Sequence, residues 1–265
     1  MRNLRLALAL SLVLLAGPAL ARTCTLIADA ETGRLLQRIG QCQMRVSPAS
    51  TFKIALSVMG YDSGILKDAH NPALPYREEY EATREAARRT TDPTTWMRDS
   101  IVWYSQELTR ALGQERFARY VELFAYGNRN LTGDPGRNNG LTHSWLSSSL
   151  KISPLGQIVF LRKLLRHELP VSAHAVDSTI AVMPTFELGS GWVVQGKTGT
   201  GPHLTVSGKR DRNREFGWFV GWASRGDKRF LFVRLITNRP RGEAPASFEA
   251  RDTLLKELPD LLAGY

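Results

Sequence analysis

Ser47-Pro48-Ala49-Ser50-Thr51-Phe52-Lys53-Ile54-Ala55-Leu56-Ser57-Val58-Met59-Gly60 is the stretch that decides how this chain is read. Ser47 suits an N-cap and Pro48 the first helical position. Apolar residues follow, and Gly60 is placed to end the helix. On such a helix, residues three apart share a face, so Lys53 reaches the hydroxyl of Ser50. A serine is a weak nucleophile until a neighbouring base takes its proton. The positive helix end pushes a first-turn lysine towards its neutral form. Nucleophile, base and helix terminus therefore coincide. The S-x-x-K spacing alone does not decide the matter, because Ser148-Ser149-Leu150-Lys151 repeats it.

The 265 residues are 43% hydrophobic and 23% charged, an ordinary globular balance. One domain, or one domain with an inserted subdomain, is expected. Residues 1–21 read as a signal peptide. Arg2 and Arg5 form a positive start, Leu6 to Leu15 an apolar run, and Ala19-Leu20-Ala21 a small-x-small cleavage site. A membrane anchor would need about 20 apolar residues, and Gly17 and Pro18 break this run short. Cleavage after Ala21 leaves residues 22–265 as the working domain. Cys24 lacks the small residues that precede a lipoprotein site, so a soluble exported protein without a membrane anchor is expected.

Export permits a disulfide between Cys24 and Cys42, the two cysteines of the chain. Thr25 to Ala30 and Arg34 to Ile39 read as strands around a turn at Gly33, which sets the two cysteines roughly opposite each other. Two buried thiols are the alternative. The net charge of +10 is scattered rather than gathered into a basic run with interleaved aromatics. That disfavours nucleic acid as a partner and favours a field that draws in small anions. None of the five histidines falls in a ligand motif, so no metal is expected.

Strands open residues 22–265 and return at Gly191–Gly196, Phe216–Ala223 and Arg229–Thr237. Between them the chain reads as mostly helical, with starts at Asp92-Pro93 and Ser153-Pro154 and a long loop over Asn128–Asn139. A last helix covers about Ala246 to Leu262. This pattern predicts an α+β fold: a sheet built from both termini, flanked by helices, with an inserted helical subdomain.

Four further motifs follow the serine in order: Ser100-Ile101-Val102, Tyr126-Gly127-Asn128, Trp145 ahead of Ser147-Ser148-Ser149, and Lys197-Thr198-Gly199 at a strand end. With Phe216-Gly217-Trp218-Phe219-Val220-Gly221-Trp222 they make the chain resemble the penicillin-recognising serine enzymes, and among them the class D β-lactamases, or oxacillinases. S-D-N is absent, and Ser100-Ile101-Val102 takes the place of an S-x-N motif. Phe216 stands where many members carry tyrosine.

The resemblance implies an antiparallel sheet and hydrolysis of β-lactam antibiotics, hence resistance. Ser50 would form the acyl-enzyme. Lys53, carbamylated by carbon dioxide or bicarbonate, would be the general base, with Trp145 donating its indole N–H to the carbamate. Phe52, Val102 and Trp145 would keep that base dry. Ser100 would relay a proton to the leaving nitrogen, and the backbone N–H groups of Ser50 and Thr200 would form the oxyanion hole. Lys197, Thr198, Gly199 and an arginine would bind the substrate carboxylate. Arg251 is the expected arginine, ahead of Arg234, Arg239 and Arg241. The implied location is the periplasm, as a monomer or homodimer. The rival readings are a penicillin sensor domain and a peptidoglycan transpeptidase or carboxypeptidase, either of which is acylated but hydrolyses slowly. The antibiotic spectrum and the conformation of Thr200–Glu215 are left open by the sequence.

Overall fold

The structure is a computed structural model that describes residues 22–80, 82, 84–189, 191–205 and 208–265. The signal segment 1–21 lies outside the described residues. Strands β1 (Arg22–Asp29) and β2 (Leu35–Gly40) open the chain. Helices α1 (Lys53–Asp62), α2 (Pro93–Asp99), α3 (Val102–Leu123), α4 (Gly140–His143), α5 (Pro154–Leu165) and α6 (Ala173–Ala181) follow. The chain then returns through β3 (Thr185–Glu187), β4 (Val193–Leu204), β5 (Arg210–Arg225) and β6 (Lys228–Pro240), and closes with α7 (Ala246–Leu261). The strands form one antiparallel sheet in the order β2-β1-β6-β5-β4-β3, so the first and last strands of the chain lie side by side. The α+β sheet expected from both termini is what is found.

Alternation along the strands feeds two cores. Leu26, Leu231, Val233, Leu235 and Trp218 face the layer that contains α1, α3 and α5. Ile27, Phe219, Phe230, Phe232 and Ile236 face the other side, where Ala250, Leu254 and Leu258 of α7 cover them. Strands buried on both faces lose the polar half of their pattern, which is why β6 reads as a continuous apolar run.

Several boundaries differ from the sequence reading. Ser47 does not cap a helix: Ala49–Phe52 is a 3-10 turn, and α1 starts only at Lys53 and runs past Gly60 to Asp62. The stretch from Asp92 divides into α2 and α3, because Ser100 adopts a left-handed conformation (φ 60°) and Ile101 is extended. Lys197-Thr198-Gly199 lies within β4 rather than at its end. The strand continues to Leu204 by pairing with β5, so residues 200–204 and 210–215 are the two arms of a long hairpin. Cys24 faces Gly40, not Cys42, across the β1–β2 pair. The disulfide forms nonetheless just beyond the strand end, with the two Cα atoms 5.1 Å apart. Among the described residues no helix is long and apolar enough to cross a membrane.

Candidate active site

The 3-10 turn presents Ser50 to the open edge of β4. Gly199 makes this approach possible: a Cβ there would lie 2.9 Å from the Pro48 carbonyl oxygen and 3.1 Å from the Ser50 nitrogen. Only a residue without a side chain lets strand and turn touch. Gly196 N–H donates to Pro184 O, on the side of β4 away from β5. Strand alternation gives Thr200 N–H the same direction, towards that open edge. The N–H groups of Ser50 and Thr200 therefore border one cleft.

That cleft, about 490 Å³, is lined by Ser50, Ser100, Val102, Thr198, Gly199, Thr200 and Ser247. Arg84 and Arg241 face it as well. Two larger hollows are less apt. One is framed by Glu31, Arg166 and Tyr265, the other by Asn130, Asp134 and Lys209, and neither contains Ser50 or Lys53. The repeated S-x-x-K at Ser148–Lys151 sits in a turn outside any helix.

Lys53 lies under the cleft, fully buried. The hydrogen bond expected to Ser50 is not formed; its Nζ donates to Ser105 Oγ at 2.8 Å. Trp96 Nε1 donates to the same oxygen at 2.9 Å. Burial first, then the charges of Lys197 and Arg84, push the Lys53 amine well below the usual lysine range. Trp145 is buried against Phe52, the residue before Lys53, with ring centroids 5.6 Å apart. Its Nε1 is buried without a hydrogen-bond partner among the described residues. An indole N–H can only donate, so it points to a site that needs an acceptor.

Lys197 donates to Ser100 Oγ at 3.1 Å and to the Thr198 carbonyl at 3.0 Å. Burial, followed by the Arg84 charge, brings its pKa down to about 7. The left-handed turn at Ser100 aims that hydroxyl at the strand. Thr200 Oγ1 donates to Ser247 Oγ at 2.6 Å, which ties β4 to the start of α7. Glu215 holds that helix start by accepting from Ala246 N–H at 2.8 Å and from Arg239 at 2.7 Å.

The structure brings Ser50, Ser100, Val102, Thr198, Gly199 and Thr200 to the cleft wall, with Lys53, Trp145 and Lys197 buried around it. It does not bring Arg251 there. The Arg251 guanidinium donates to Asp252 at 2.7 Å and lies 4.6 Å from the Phe248 ring, on the flank of the stripe that α7 packs on the sheet. Arg234 is committed to Thr25, Thr253 and Glu257, and Arg239 to Glu215 and Glu249. Arg241, which the sequence reading ranked below Arg251, is the one of the four at the cleft. Ser105, Trp96, Ser247 and Arg84 were missed. Ser105 sits one turn into α3 behind Ser100, a spacing that could have flagged it; Trp96 reads only as core. The Tyr126-Gly127-Asn128 turn is a brace. Asn128 Oδ1 accepts from Lys151 N–H at 2.9 Å, and its Nδ2 donates to Ser149 O, holding the segment behind Trp145.

The penicillin binding protein transpeptidase domain matches residues 23–259. The OXA-9 β-lactamase of Klebsiella pneumoniae is 45% identical over 240 residues, 90% of this chain and 88% of the relative. OXA-1 of Escherichia coli is 36% identical over 241 residues, 90% and 84%. The crystal structure of the OXA-427 class D β-lactamase superposes with a TM-score of 0.86 at 44% identity, covering 91% of this chain and 99% of that one. A transpeptidase-type fold with a serine cleft defines the class, and within it the chain belongs to the class D β-lactamases.

Proposed function

We propose that this protein hydrolyses β-lactam antibiotics through an acyl-enzyme on Ser50 and so confers resistance, working in the periplasm once residues 1–21 are removed. The observation that carries the reading is a buried Lys53, its amine pushed towards the neutral form, next in sequence to Phe52, against which Trp145 lies with an indole N–H that lacks an acceptor among the described residues. Only a neutral amine adds carbon dioxide, and the product is an anion. The Lys197 and Arg84 charges that disfavour an ammonium on Lys53 favour that anion, and Trp145 can hydrogen-bond to it. Carbon dioxide added to Lys53 supplies a general base beside Ser50.

The side chains divide the remaining work. Ser50 Oγ bonds to the lactam carbonyl carbon while the Ser50 and Thr200 N–H groups stabilise the developing oxyanion, each worth roughly 3 kcal/mol. The C–N bond breaks, and the leaving nitrogen takes a proton from Ser100 Oγ. Lys197, hydrogen-bonded to that hydroxyl and titrating near neutrality, replenishes it. Lys197, Thr198, Ser247 and Arg241 bind the ring carboxylate. The proton that carbamylated Lys53 would take from Ser50 passes back to Lys197; Lys53 would then take a proton from the attacking water and return it to Ser50 Oγ as the ester is cleaved.

Nitrocefin and oxacillin turnover by the purified protein, with and without bicarbonate, tests this. Sustained turnover that bicarbonate supports is expected. A single burst followed by a stable Ser50 adduct, unmoved by bicarbonate, would mark a penicillin sensor or a transpeptidase instead.

A further inference from the structure

The cleft holds two arginines, Arg84 and Arg241, and in the chemistry above only Arg241 binds the substrate. Arg84 lines the same cleft beside Ser100 and Val102. It begins the 3-10 turn Glu85–Ala87 in an extended conformation. Its Nη2 donates to the Asp99 carbonyl at 2.8 Å, fixing it next to the residue before Ser100. No carboxylate pairs with Arg84 among the described residues. The Asp99 carboxylate is taken by Arg89 and by Arg98, the latter at 2.8 Å. Three arginines thus surround one carboxylate; at the cleft, Arg84 and Arg241 stand with Glu243 and with Glu215, which Arg239 already pairs. The Arg84 charge also reaches the buried amines, lowering both Lys53 and Lys197.

A guanidinium has five N–H donors and spends one on Asp99, so a forked face stays available to a planar or trigonal anion. A substrate with only its ring carboxylate leaves this cation unmatched, because that carboxylate is served by Lys197, Thr198, Ser247 and Arg241. We infer that Arg84 is a specificity-determining residue that favours β-lactams carrying a second anionic group, a carboxylate or sulfonate, outside the ring system. The inference rests on the β-lactam reading of the Ser50 cleft.

The test compares benzylpenicillin with its α-carboxy and α-sulfo derivatives in the unaltered protein, Arg84→Ala and Arg84→Lys. In Arg84→Ala the ratio of dianionic to monoanionic kcat/KM should fall about tenfold, mainly through KM, and high salt should shrink the ratio in the unaltered protein. Arg84→Lys, which keeps the charge without the fork, should retain part of the preference. A ratio unchanged by both substitutions would overturn the inference, because equal losses on all three substrates describe an arginine that merely braces Asp99. The same ratio can be read from Ser50 acylation rates by intact-protein mass spectrometry. A protein that is acylated but does not turn over would therefore refute the hydrolytic reading while leaving this comparison intact.

Discussion

Ser47 Oγ donates to the Trp145 carbonyl at 2.5 Å and accepts from the Ser147 N–H at 2.9 Å. The Ser47 carbonyl in turn accepts from the Trp218 indole at 2.9 Å. One buried residue so joins the nucleophile turn, the tryptophan turn and β5. Ser47→Ala strands the Ser147 N–H and should cost about 1–3 kcal/mol. It should also loosen Trp145 and raise the bicarbonate concentration needed for half-maximal turnover, while Ser50 acylation persists. Thermal melts and a bicarbonate titration check both; an alanine variant with unaltered bicarbonate dependence would rule out the coupling.

Trp145→Phe keeps an aromatic ring against Phe52 and removes the indole N–H. Acylation should continue while deacylation slows by roughly 10²-fold, the low end of what a lost general base costs. Rapid-quench measurement of the Ser50 adduct would show it accumulating. Equal deacylation rates would remove Trp145 from the chemistry.

Lys197 titrates at about 7. In the proposed reaction its charged form binds the substrate carboxylate, so kcat/KM for anionic substrates should fall as pH rises through that value. Lys197→Arg, which stays charged, should flatten the alkaline limb. Stability has its own sign. An unfolded lysine holds its proton up to about 10.4, so between 7 and 10 the folded state binds fewer protons and stability rises with pH, by at most about 1.4 kcal/mol per unit. This contribution is complete above the unfolded value and is lost as pH falls to about 7. Lys197→Met should reduce the slope of a denaturation series over that window.

Gly199→Ala forces a methyl into the gap between β4 and the Ser50 turn. Overpacking of this kind costs about 1–3 kcal/mol. The turn should be displaced, with Ser50 acylation slowing much more than the loss of folded protein explains. Acylation rates set beside circular dichroism melts separate the two effects.

Leu254→Ala acts on the far side of the sheet. Leu254 is fully buried among Ile27, Phe219 and Phe232. Truncation should cost about 2–5 kcal/mol and lower Tm, with kcat retained by the folded fraction. A large fall in kcat without a fall in Tm would contradict the separation of the two cores.

The order and placing of Ser50, Lys53, Ser100, Val102, Trp145 and Thr200 were legible because each belongs to a short motif whose residue types the chemistry demands. The sheet was legible from apolar runs at both ends of the chain. What could not be read depends on contacts between distant segments. Lys53 turns to Ser105 because α3 brings a buried hydroxyl, and α2 the Trp96 indole, beneath the turn, and no local spacing shows that. Arg251 was chosen by its distance from the last strand, yet α7 lays it over Phe248, and Arg241 is nearer the cleft. The β4–β5 hairpin runs further than expected because pairing across it continues to Leu204↔Arg210.

The neighbouring positions of β1 and β6 bear on how the protein comes into being. Ser50 leaves any synthesising or exporting machinery early, but the strand that supports it, β4, emerges about 150 residues later, and β6, the partner of β1, later still. Contacts so far apart in sequence form slowly. The proposed nucleophile is thus present long before the cleft around it, and a truncated chain lacking β4–β6 would carry Ser50 and Lys53 with no wall to hold a substrate against them.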